Sequence, residues 1–281
     1  IFDEKKYRYE SRLGNGAFGV VEKYTDTNLG VPVAVKQMIK RNITPERKAR
    51  WLREQKAGII CRNNPRVARV LDRGYDSKGN LRLIMDFVEG PDFRDVVEEI
   101  KKGKTRKHPL PSLLEIVKEV ARGLDQMHND GVLHRDIKPE NIMITTEGEA
   151  KIADLGLAKI KGEKDIGKGK RKSKRSKSPD LTDDAFLTAE GRALGTPPYM
   201  SPEQIETFSK TDRRADIYSL GATLYEILTG IPPHLVLDKN KDFDQTKTLK
   251  EIVDTDAIPP SQRKELLYGQ IHPDLEAICM K

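Results

Sequence analysis

The chain has 281 residues, 36% hydrophobic and 34% charged, and 51 basic against 44 acidic side chains give it a net charge of +7. That length suits one large domain or two packed lobes, and the apolar content suffices for a core, which excludes a wholly disordered chain. Every window of 18 residues carries charge and no signal-peptide pattern opens the chain, so the segment reads as soluble and without a membrane span.

Three short β-branched runs predict strands: around Val20 and Val21, from Val31 to Val35, and from Leu81 to Val88, separated by Gly, Asn and Asp turns. Between the second and third, Pro45 to Ile60 predicts a helix, with Thr44 as N-cap and Pro45 in its first turn. Cys61 and Cys279 are too few for a disulfide framework or a zinc site, so both read as thiols in a reducing compartment. Leu113, Val117, Val120, Leu124 and Met127 step by four, three, four and three, which predicts the apolar face of a helix ending near Gly131. A long loop is expected from Asp154 to Glu203. Within it, residues 161–178 hold nine basic and two acidic side chains, leaving 42 of each sign elsewhere, so the basic balance is one local tract and gives no support to a general nucleic-acid surface. Ile217, Leu220, Leu224 and Leu228 predict a further helical face, stopping at Gly230 before Pro232 and Pro233, and a second long loop follows.

The chemistry-bearing residues fall into four groups. Leu13, Gly14, Asn15, Gly16, Ala17, Phe18, Gly19 and Val21 form a G-x-G-x-x-G-x-V pattern. A dinucleotide fold would place a helix straight after these glycines, whereas strands are predicted here, giving a β-hairpin lid whose backbone N–H groups can cover phosphates. The next strand ends in VAVK, so Lys36 emerges beside the lid and requires an anionic partner, which Glu54 on the following helix can supply. HRDIKPEN, from His134, spaces Asp136, Lys138 and Asn141 so that all can face one point. Asp154, 18 residues beyond Asp136, adds a second hard oxygen donor beside Asn141, the pair that a phosphate-bound magnesium needs.

Together these motifs resemble a eukaryotic-type protein kinase domain, most like bacterial serine/threonine members, from about Tyr9 to the last residue. The resemblance implies an α+β two-lobed fold: a small antiparallel sheet with one helix over 9–88, and a mainly helical lobe over 89–281 with an activation segment at 154–203. ATP would lie between them. By that resemblance Lys36 pairs with Glu54 and holds the α and β phosphates, Asn141 and Asp154 bind magnesium or manganese, Asp136 orients the acceptor hydroxyl, and Lys138 neutralises the moving phosphate. Val21, Ala34, Met85, Val88 and Met143 match the adenine pocket, with Asp86 and Val88 offering backbone hydrogen bonds and Asp92 just past the hinge. GTPPYMSPE, from Gly195, resembles a peptide-positioning loop in which Thr196 meets Asp136 and Lys138, which implies protein serine or threonine as acceptor.

Three departures and one extension carry expectations of their own. Leu155 stands where the family has Phe, and Ser201 where it has Ala; both keep the chemistry of the site. Glu203 is expected to be buried, and its usual arginine partner does not appear before Lys281, so the chain reads as a fragment. Arg135 and Lys159 are expected to receive a phosphate on Thr188, with Glu190 as a permanent anion in the competing reading. The basic tract reads as a solvated insertion, as a nucleic-acid contact, or as a segment lying across Asp92 and Glu140 until Ser173, Ser176 or Ser178 is phosphorylated. The kinase reading stands against a nucleotide-binding scaffold and a binding module built on that tract. ATP use and the lack of disulfides imply a cytoplasmic domain, with membrane tethering left to sequence beyond this segment.

Overall fold

The β-branched runs at the start of the chain pair into one antiparallel sheet. The computed structural model describes residues 2–16, 19–39, 43–163, 195–264 and 266–281; Ala17, Phe18, Thr188, Glu190 and the basic tract from Lys164 onward lie outside them. Strands β1 (Tyr7–Gly16), β2 (Gly19–Asp26), β3 (Val31–Met38), β4 (Val70–Tyr75) and β5 (Leu81–Asp86) form a five-stranded sheet in the order β1-β2-β3-β5-β4. Two of these, β1 and β4, have no counterpart among the predicted strands, and β5 stops at Asp86 rather than Val88.

The register sorts the side chains between two faces. Val21 lies opposite Lys36 and Lys36 opposite Leu83, while Ala34 lies opposite Met85, so Val21, Ala34, Lys36, Leu83 and Met85 share one face. The other face buries Val33, Val35 and Ile84 against Phe2, Tyr7 and Tyr24.

Helix α1 (Pro45–Ile60) covers the first face at one end, packing Trp51 against Met38, Leu81 and Leu83. It starts as predicted: the Thr44 side chain accepts from Arg47 N at 3.2 Å and Pro45 occupies the first turn. At Gly58 a Cβ would lie 2.4 Å from Cγ2 of Val70, so α1 approaches β4 only because that side chain is absent.

After the Phe87–Gly90 connection the chain is mainly helical. Helices α2 (Phe93–Lys101), α3 (Leu110–Asn129), α4 (Pro202–Thr207), α5 (Arg213–Thr229), α6 (Gln245–Asp254) and α7 (Pro273–Met280) are joined by short strands β6 (Val132–Leu133), β7 (Ile142–Ile144), β8 (Ala150–Ile152) and β9 (Lys159–Ile160), paired as β6-β9 and β7-β8. The α3 face is the predicted one: Leu113, Val120, Leu124 and Met127 are buried and Val117 packs beside them. Each fully buried side chain of this kind contributes about 1.5–3 kcal/mol, which is why this cluster, shared with α2, β7, β8 and Leu155, forms the base on which the loops rest.

Three expectations are corrected. Helix α5 is not one-faced: Ile217 is 53% exposed, whereas Ala215, Asp216 and almost everything from Ser219 to Thr229 is buried, because α5 is packed on several sides. The stretch after Pro232 is not structureless, since α6 buries Thr248 and Ile252. Glu203 is only partly buried rather than buried. Burial pushes both thiols, Cys61 and Cys279, up to about 12, which leaves them inert at neutral pH. Among the described residues no helix is long and apolar enough to cross a membrane.

Replacing Gly58 tests the α1 docking. Overpacking against the stiff Val70 side chain costs about 1–3 kcal/mol, more than the roughly 1 kcal/mol that alanine gains over glycine in a helix. Gly58→Ala is therefore expected to lower the urea midpoint; a raised midpoint would show that β4 yields freely.

Candidate active site

Lys36 emerges from β3 under the sheet, where burial disfavours its charge. Its ammonium is nevertheless held charged, because Nζ donates to Glu54 Oε1 at 2.8 Å, Glu54 Oε2 at 2.9 Å and Asp154 Oδ1 at 3.0 Å. Glu54 comes from α1 and Asp154 from the segment after β8, so one cation joins the sheet, the helix and the second lobe. Burial pushes the Glu54 carboxyl up, with Lys36 as the main opposing influence. Burial also acts upward on Asp154, but the Lys36 charge and hydrogen bond outweigh it and leave that carboxyl below its ordinary range.

The catalytic-loop residues converge as their spacing predicts. Lys138 Nζ lies 3.2 Å from Asp136 Oδ2 and donates to Thr196 Oγ1 at 2.7 Å, while Thr196 Oγ1 donates to Asp136 Oδ1 at 3.0 Å. Asn141 Nδ2 donates to the Asp136 carbonyl at 2.7 Å and to Oδ2 at 3.3 Å. Burial pushes the Asp136 carboxyl up and Lys138 draws it back down only in part. His134 is a framework residue: Nδ1 accepts from Asp136 N at 3.2 Å, so the other nitrogen, Nε2, carries the proton donated to Ala153 O at 3.0 Å.

Sequence reading gave no role to Asp216, which the structure places at the centre of this loop. Its buried carboxylate accepts from His134 N at 2.9 Å and Arg135 N at 2.6 Å and meets His128 Nε2 at 2.7 Å. Arg135 has a φ of 68°, a conformation costly for a non-glycine residue; these bonds, with Gln204 Nε2 donating to Arg135 O at 3.0 Å, hold it there. The available signal was a carboxylate in the first turn of a helix whose later positions are largely apolar.

The antiparallel pair of Ile142 with Ile152 sets Asn141 and Asp154 at one end of the β7-β8 hairpin, and Ala153 N donates to Asn141 O at 2.9 Å. With the Asn141 amide nitrogen directed to Asp136, its oxygen and the ionised Asp154 carboxylate supply hard oxygen donors that fit magnesium. Nearby, Val21, Ala34 and Met85 line the open end of the Lys36 face, and a backbone bridge brings Met143 beside Asp92. Gly14 lies opposite Val21 and Asn15 opposite Val20; Gly19 passes so close to β3 that a Cβ there would meet Gln37 O at 1.9 Å. Leu13 is half exposed at the rim. At the hinge, Asp86 N donates to Arg69 O and its carboxylate pairs with Arg69; Val88 lies two residues on, partly buried. A separate cleft of about 780 Å³ opens behind the hinge, lined by Val31 and Val33, which face away from Ala34.

Other expected contacts are already engaged. Asp92 caps α2, accepting from Asp95 N at 2.8 Å, and Glu140 receives Arg94 Nε at 3.1 Å; the basic tract expected to meet them lies outside the described residues. The Arg135 guanidinium lies 4.6 Å from the centre of the Phe208 ring, and Lys159 Nζ donates to Ser209 O at 2.6 Å and Thr211 O at 3.3 Å, which brings the two cations onto one segment.

Replacing Lys36 with Met leaves Glu54 buried without its ammonium. The raised Glu54 carboxyl then favours the folded state only while protonated, so the stability deficit of Lys36→Met should shrink as pH falls toward the ordinary glutamate range and widen as pH rises. Thermal melts of both proteins between mildly acidic and mildly basic pH would measure it; a pH-independent gap contradicts the assignment.

Comparison with known proteins accords with this geometry. The protein kinase domain model matches residues 7–267. The chain is 34% identical to the serine/threonine-protein kinase pkn3 of Myxococcus xanthus, over 98% of this chain and 46% of the relative. It is 32% identical to PknB of Mycobacterium leprae, over 98% and 39%, and 30% identical to PknL of Mycobacterium tuberculosis, over 82% and 51%. The chain thus spans about half or less of the length of these relatives. A family match over nearly its whole length, on a fold that brings Lys36, Glu54, Asp136, Asn141 and Asp154 into one cleft, makes this chain a member of the protein kinase domain family, with bacterial serine/threonine kinases among its relatives.

Proposed function

We propose that the chain transfers the γ-phosphate of ATP to serine or threonine hydroxyls of protein substrates, in the cytoplasm. The observation that carries this reading is the hydrogen-bonded triangle of Asp136, Lys138 and Thr196, which holds a carboxylate and an ammionium-bearing side chain at hydrogen-bond distance from one hydroxyl. An acceptor hydroxyl entering beside Asp136 would donate to its carboxylate, be oriented by that bond, and give up its proton late, because phosphoryl transfer depends mainly on positioning and charge stabilisation. Lys138 would supply positive charge at the transferred group. Lys36, fixed by Glu54, would hold the α and β phosphates, and the strand β1 and β2 backbones around Gly14 to Gly19 would cover them. Asn141 and Asp154 would hold magnesium, or manganese, whose positive charge supports the phosphate oxygens when bound.

Autophosphorylation in the activation segment belongs to the same reading. Thr188, eight residues before Thr196, is the proposed acceptor, and the nearness of Arg135 and Lys159 around residues 208–211 supports a place for the added charge. 

Transfer from labelled Mg-ATP to the chain and to a serine/threonine protein substrate is the direct test. Asp136→Asn should lower the rate by about a hundred- to ten-thousandfold, and label on the chain itself should fall on Thr188 and vanish in Thr188→Ala. A folded, nucleotide-binding chain with no transfer would instead be a scaffold.

The acid limb of the kcat/KM profile should lie above the ordinary aspartate range, because Asp136 must be ionised and burial raises it. Removing the opposing charge in Lys138→Met should move that limb to higher pH as well as slow the reaction. A limb unmoved by Lys138→Met would detach it from Asp136.

A further inference from the structure

Beside the acceptor position the protein carries a carboxylate cluster that its own arginine fills. Glu140 lies in the turn directly after Lys138, Tyr199 in the turn directly after Thr196, and Glu226 in the buried wall of α5 behind them. Since Lys138 and Thr196 both bond to Asp136 or to each other, the two turns flank that carboxylate, and in the kinase reading they border the channel by which an acceptor chain would reach it. Arg94, on the first turn of α2, reaches in and donates Nε to Glu140 Oε1 at 3.1 Å, Nη1 to Glu226 Oε1 and Nη2 to the Tyr199 hydroxyl, which in turn donates to Glu226 Oε2 at 2.5 Å.

The exposure gradient places a solvent-facing rim on this cluster: the Glu140 side chain is 41% exposed, Arg94 28% and Glu226 2%. Without Arg94, two carboxylates would line the channel wall and attract a guanidinium from an incoming chain. With it, the planar fork already spends all three of its nitrogens, and a second guanidinium would meet like charge.

We propose that Arg94 is a specificity-determining residue: by occupying the Glu140–Glu226 carboxylate site itself, it makes the acceptor channel indifferent to arginine, so that protein substrates are taken without a requirement for arginine beside the serine or threonine. This rests on the kinase reading above.

The test is a peptide set with a fixed serine or threonine, in which arginine replaces alanine at each of the flanking positions in turn, with kcat/KM read from labelled Mg-ATP. Wild type should show less than about threefold preference for arginine at every position, while Arg94→Ser gains about tenfold or more at one or two neighbouring positions. Arg94→Ser combined with Glu226→Gln, which removes the buried charge, should lose most of that gain and guards against a variant that fails to fold. Wild type preferring arginine by about tenfold overturns the inference without needing any variant, and so does a folded Arg94→Ser with a flat profile. An enzyme that phosphorylates no peptide and no protein overturns the kinase reading itself, and this inference with it.

Discussion

One buried ammonium organises the molecule. Lys36 sits where burial alone would remove its charge, and it stays charged because carboxylates from α1 and from the segment after β8 close on it together. Glu54 is not stable there without it, being buried against the sheet, and Asp154 closes on it from a backbone with a φ of 59° that few non-glycine residues adopt. The charge requirement therefore fixes the position of α1 against the sheet and of the sheet against the second lobe, and the close approach at Gly58 is the steric condition that lets α1 reach that position.

A second buried charge does the equivalent work below. Asp216 is a carboxylate with essentially no water contact, and it is satisfied by backbone N–H groups of His134 and Arg135 and by His128. Through these bonds a helix of the lower lobe sets the backbone of the loop that carries Asp136 and Lys138. Charged groups thus act here mainly as geometric constraints: each demands a full set of partners, and meeting that demand leaves one arrangement of the loop. Arg94 follows the same logic beside the catalytic loop, where an arginine and two glutamates satisfy each other.

Much of the site was legible because its residues are close in sequence. Asp136, Lys138 and Asn141 fall within six consecutive positions, and a loop that short can only present them to one place; Lys36 follows from a strand end and Asp154 from its place 18 residues beyond Asp136. Asp216, Tyr199 and Arg94 were not legible by that route, since their contacts join residues 27 to 132 positions apart. Helix α2 was within reach: Phe93, Val96, Val97 and Ile100 are spaced for one helical face, and all four are buried. Ile217 failed in the other direction, because periodicity marks a face and says nothing about a helix surrounded on several sides.

The amino-acid sequence by itself determined the local chemistry: several of the strands and helices, where glycine is needed, and which short motifs carry acid, base and cation. Only the tertiary structure decided which charges neutralise each other. Asp92 and Glu140 look alike in sequence as acidic groups near the acceptor, yet one caps a helix and the other holds Arg94. The physical reason is that a carboxylate's role depends on whichever donor reaches it first, and the donors here arrive from elements that are distant in the chain and adjacent only once the two lobes have packed.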